Sequence, residues 1–166
     1  MNPTYAVYTH IERDVTDVFQ ALQSQEMFSK VFTPTSGDLE EGAELTWGMR
    51  AAEVQVRVDK VVQDERIEIT FKPADFTIPE LRPGDKRDYE ARIVILFEAA
   101  DVGGTLVTLC EYGWQDDMRS VLQSYGHCGG WQTMLLCLKA QLQHGIDLST
   151  PNSVRPDYQA LWSAPG

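Results

Sequence analysis

Trp131, Leu135, Leu138 and Leu142 recur at spacings of 4, 3 and 4, with Met134 alongside. That spacing lays one apolar stripe along a helix, and it predicts a helix from Gly130 to His144. Gly145 supplies the left-handed residue at which such helices stop, with Ile146 behind it as the expected apolar plug. Lys139 and His144 fall toward the negative end of the helix dipole, where positive charge is favoured. A helix this apolar has to be covered by a sheet or by other helices.

The rest of the chain supplies the cover. Tyr5 to Ile11 is a short β-rich run. Asp14 can cap a helix through Leu22, with Val18, Phe19 and Leu22 on one face, and Ser24 can cap a second carrying Met27, Phe28 and Val31. From Glu44 the period becomes two. Leu45, Trp47 and Met49 alternate with polar neighbours, as do Val54, Val56 and Val58, and then Ile67, Ile69 and Phe71. A further hairpin follows, Tyr89 to Phe97 and Thr105 to Trp114, around a turn at Asp101 to Gly104. Half-buried antiparallel strands read this way. The expected fold class is α+β, a curved six-stranded antiparallel sheet around a long final helix, with two short helices after the first strand.

Composition narrows the partners. A net charge of −11 argues against nucleic acid and against an anionic membrane surface. There is no apolar run long enough to span a bilayer and no secretory leader pattern. Cys110, Cys128 and Cys137 lack CxxC spacing and suit reduced thiols in a cytoplasmic protein. Residues 1–148 are expected as one domain and 149–166 as a tail packed on the body or on a neighbour. Pro73 to Asp88, rich in proline, is expected to border a binding site as a loop.

The strand GTLVTLCEYGW (Gly104 to Trp114), the helix GWQTMLLCLKAQL (Gly130 to Leu142) and the opening DVTDVFQAL carry a resemblance. The chain resembles the START-like helix-grip (SRPBCC) superfamily, and within it bacterial homologues of the activator of heat-shock-protein-90 ATPase. The likeness covers residues 5 to 148 and includes no catalytic signature. It implies a curved sheet gripping the last helix, with interior space that large side chains or a ligand must fill.

The residues expected on that interior are Trp47, Met49, Phe71, Tyr89, Trp114 and Trp131. Ile93, Ile95, Leu109, Leu135 and Leu138 join them, with Glu111 as the one charged member. If Phe97 pairs with Val107, then Ile93 meets Glu111, and the carboxylate points toward the helix with Tyr89 diagonally near. Glu111 then either sits in apolar space, where Glu111→Gln would stabilise the free protein, or reaches water at the rim.

No nucleophile elbow, Walker loop or dinucleotide fingerprint is present. Gly126, Gly129 and Gly130 are expected to allow close packing of the helix start against the sheet. His127 and Cys128 are adjacent and point about 100° apart on a helix, so they do not converge on one metal. No catalytic residue, metal ligand or cofactor is assigned. The expected function is binding of a small apolar or amphipathic molecule, with a homodimer compatible. Two alternatives stay open: a cyclase- or hydrolase-type enzyme using the same cavity, and a chaperone-regulating interaction protein.

Overall fold

The computed structural model describes residues 2–49, 52–73 and 89–148. The loop expected between Pro73 and Asp88 and the tail expected after Leu148 lie outside them. The chain opens with strand β1 (Tyr5–Ile11), then helices α1 (Val15–Gln23) and α2 (Gln25–Val31). Strands β2 (Glu44–Met49), β3 (Ala52–Val62), β4 (Arg66–Phe71), β5 (Ala91–Ala99) and β6 (Thr105–Tyr112) follow, and helix α3 (Met118–His144) closes it. The strands form one six-stranded sheet in the order β1-β6-β5-β4-β3-β2, antiparallel throughout. Among the described residues no helix is long and apolar enough to cross a membrane.

Local chemistry accounts for the joints. The Ser24 side chain accepts from the Met27 N–H at the start of α2, satisfying one of the donors a helix start leaves open. Asp64 takes φ 61° between β3 and β4, a left-handed conformation that Asp tolerates better than most residues. At the outer edge of β2 the segment Thr33–Ser36 runs alongside. Gly48 N–H donates to Pro34 O, and Ser36 N–H to Thr46 O. Thr35 and Trp47 form an isolated antiparallel bridge.

The alternating residues of the strands bury one face. Val58, Ile67, Ile69, Ile93, Ile95, Val107 and Leu109 are all fully buried, in one core with Leu135 and Leu138 of α3. Each such side chain contributes about 1.5–3 kcal/mol through removal from water. Trp131 and Met134 join them, and Leu142 packs at the edge of the core.

Two details differ from the sequence reading. Helix α3 begins at Met118, not Gly130, with the Asp117 carboxylate accepting from Ser120 N–H at 3.0 Å. Gly126, Gly129 and Gly130 therefore lie inside the helix. They are exposed, and a Cβ at any of them would meet nothing within 4 Å. Close packing against the sheet is not what they serve. Gly145 does end α3, at φ 65°, and Ile146 behind it is half exposed.

Candidate functional site

The pairing of β5 with β6 sets Phe97 opposite Val107, Ile95 opposite Leu109 and Ile93 opposite Glu111. On the other side of β6, Tyr5 of β1 is the cross-strand neighbour of Glu111. Period-two alternation then turns the Glu111 side chain inward with Val107 and Leu109, and it is 0% exposed. A carboxylate in such a place is costly unless every lone pair that faces protein finds a donor.

Three donors reach it. Trp131 Nε1–H donates to Oε1 at 2.5 Å, Trp114 Nε1–H donates to Oε2 at 2.6 Å, and His127 Nδ1 lies 3.2 Å from Oε1. Glu111 is therefore neither at a rim nor left in apolar space. Two of the partners come from one helix face, because residues four apart on a helix stand one above the other. The third comes back from the strand's own end. Gly113 takes φ 86°, which breaks the extended run after Tyr112 and lets the Trp114 indole reach Glu111. A Cβ at Gly113 would stand 3.0 Å from Glu90 O, so both the conformation and the close approach call for glycine.

Aromatic rings surround this network on both sides. The Phe32 ring stacks on Trp131 with centroids 4.3 Å apart, and Trp47 meets Trp131 edge-on at 5.9 Å. His127 stacks on Phe71 at 5.6 Å and meets Trp114 edge-on at 4.8 Å. Edge-on and stacked ring pairs of this kind add to what burial alone contributes. In the same neighbourhood the buried Trp47 Nε1 has no hydrogen-bond partner among the described residues, and the buried Tyr5 hydroxyl lies beside the Glu111 carboxylate. Burial first, and the nearby Glu111 carboxylate second, hold the Tyr5 hydroxyl far above the usual tyrosine pKa.

The expected interior residues fall as follows. Trp47, Phe71, Ile93, Ile95, Leu109, Glu111, Trp131, Leu135 and Leu138 are buried in the core. Trp114 is half-buried. The side chain of Met49 lies outside the described residues. Tyr89 precedes β5, and its hydroxyl lies 3.2 Å from Ser120 Oγ of α3. His127 was the member that sequence reasoning missed. Its position four residues before Trp131 would have revealed it, had the helix been extended through the glycines. Among the described residues no group of three or more His, Cys, Asp or Glu is placed to hold a metal ion. Two surface hollows, one between Arg13, Gln20 and Leu142 and one beside His10 and Gly104, are bordered by none of the expected interior residues.

A curved antiparallel sheet holding one long helix over its concave face, with two short helices between the first strands, defines a helix-grip protein. The chain belongs to the family described as activator of Hsp90 ATPase homolog 1-like protein, which matches residues 13–143. Solved structures agree in fold. Protein SSP2350 from Staphylococcus saprophyticus is 24% identical, with a TM-score of 0.64 over 88% of this chain and 96% of that one. Protein MLL2253 from Mesorhizobium loti is 14% identical, with a TM-score of 0.69 over 87% and 98%. The Aha1 dimer from Colwellia psychrerythraea is 20% identical, with a TM-score of 0.63 over 84% and 96%. No protein of curated function matches the chain.

Proposed function

We propose that the chain binds a small apolar or amphipathic molecule between the sheet and α3, without covalent chemistry. The observation that carries this reading is the fully buried Glu111 carboxylate, held by two indole N–H groups and an imidazole inside a wall of rings. Stability alone is served as well or better by an apolar residue at such a position. Buried polar groups in a concave apolar setting are the usual furniture of a ligand site. The Trp47 N–H, unpartnered among the described residues, adds one more group with hydrogen-bonding capacity to spare.

Trp47, Phe71, Ile93, Ile95, Leu109, Leu135 and Leu138 would line the site, with Tyr89 toward its end. Trp114 and His127 are the partly exposed members of the network, so their displacement is the way in. Three free cysteines support a cytoplasmic setting. The relative from Colwellia described as a dimer supports a homodimer as a form to look for.

Native mass spectrometry on protein purified without denaturant tests the reading. A bound mass that is lost on denaturation is the expected result. Absence of any adduct, together with unchanged tryptophan fluorescence on titration with ten-carbon amphiphiles, overturns it.

A further inference from the structure

A carboxylate oxygen accepts about two hydrogen bonds, and the two oxygens of Glu111 are filled unequally. Oε1 takes both Trp131 and His127, whereas Oε2 takes Trp114 alone. Among the described residues Oε2 is thus the oxygen held by a single indole donor, with the Tyr5 hydroxyl also close to the carboxylate. Oε2 lies under Trp114, a half-buried ring carried on the segment that follows Gly113 rather than on a strand or helix. The unpartnered Trp47 N–H is held 5.9 Å, ring to ring, from Trp131. The polar equipment of the site is therefore one carboxylate enclosed by aromatic faces, whose Oε2 is held by the partly exposed Trp114 indole. That combination attracts hydrogen-bond donors and cations and repels a second anion.

We propose that the site selects amphiphiles whose head group donates a hydrogen bond to Glu111 Oε2, an amine or a hydroxyl, and rejects carboxylates. The Trp114 indole N–H occupies that position until the ligand's own donor takes it. This rests on the ligand-binding reading above and adds the head-group chemistry to it. A fatty acid would set a second carboxylate beside a buried one, and among the described residues neither Arg nor Lys contacts Glu111 to stand between them. A hydroxyl meets the same need, donating to Oε2 without bringing a second negative charge.

The test compares decylamine, decanol and decanoate below their micelle concentrations, read by tryptophan fluorescence and by the indole N–H resonance of Trp114. Decylamine and decanol are expected to bind and to shift that resonance, with decanoate weaker by about tenfold or more, as loss of a charge-assisted bond implies. Glu111→Gln should erase the discrimination, whereas a preference arising from the net charge of the whole chain would survive in it. Trp114→Phe keeps a ring but removes the competing N–H, so it should tighten decanol and decylamine several-fold and leave decanoate weak. This second variant keeps the test sound if Glu111→Gln fails to fold. Decanoate binding as tightly as the others, or Trp114→Phe weakening all three alike, overturns the head-group proposal while leaving ligand binding in place. Failure of all three to bind overturns both.

Discussion

Trp131 and Glu111 are joined across the contact between α3 and β6 by an N–H···O bond of 2.5 Å in which both partners are buried. The bond makes the long helix answerable to one position in the sheet. Charge-assisted bonds of this kind are stronger than neutral ones, and removing one partner leaves the other uncompensated.

Glu111→Gln is therefore expected to destabilise the free protein at neutral pH by about 1–3 kcal/mol, the reverse of what an unpartnered carboxylate would give. The amide brings two N–H groups to a place where indole N–H groups already point. Urea denaturation of parent and variant decides it, and a stabilised variant would mean the three donors do not hold the carboxylate.

Leu138 is 0% exposed and sits at the centre of the helix face against the sheet. Leu138→Ala should cost about 2–5 kcal/mol, as large-to-small changes in cores do. A loss below about half a kilocalorie per mole would place this face in water, since surface substitutions have effects of that size.

Gly129 is exposed, helical and surrounded by open space. Gly129→Ala should stabilise by about 0.5–1 kcal/mol through higher helix propensity. Thermal unfolding measures it, and a destabilised variant would show that something approaches this face in solution.

Tyr5 supplies a pH dependence. Its folded pKa lies above the ordinary 10.0, raised by burial first and by Glu111 second. A pKa raised by folding means the contribution is fully present below the unfolded value and is lost as pH climbs past it, because the unfolded chain ionises first. Parent stability should fall above about pH 10 relative to Tyr5→Phe. Parallel pH profiles for the two proteins would rule this out.

The thiols should separate by reactivity. Burial raises the pKa of Cys110 and of Cys137, whereas Cys128 is only half-buried. Iodoacetamide at neutral pH should label Cys128 well before the other two, as peptide mass mapping would show.

How far the sequence could be read depended on which signal each residue carried. Alternation in Ile93, Ile95 and Phe97 against Val107 and Leu109 was enough to set the register and so to point Glu111 inward. The partners of Glu111 were harder. Three glycines within five positions mask the first half of α3, since glycine disfavours helix and nothing local outweighs it except the Asp117 cap. With that half hidden, His127 had no face to share with Trp131. Trp114 was expected on the interior, yet the alternation of β6 continued past Tyr112 would carry it to the opposite side from Glu111. The turn at Gly113 cancels that alternation, and its positive φ is set by the approach of Glu90.

The strip Thr33–Ser36 that runs beside β2 has a consequence for self-association. Its hydrogen bonds occupy backbone groups along one rim of the sheet, so a second chain cannot add there without first peeling it away. Among the described residues β1 is the other rim, paired on one side only, to β6. Two copies meeting rim to rim through β1 would expose only covered rims at their outer ends. Such an assembly closes at a pair and has no way to grow into a fibre.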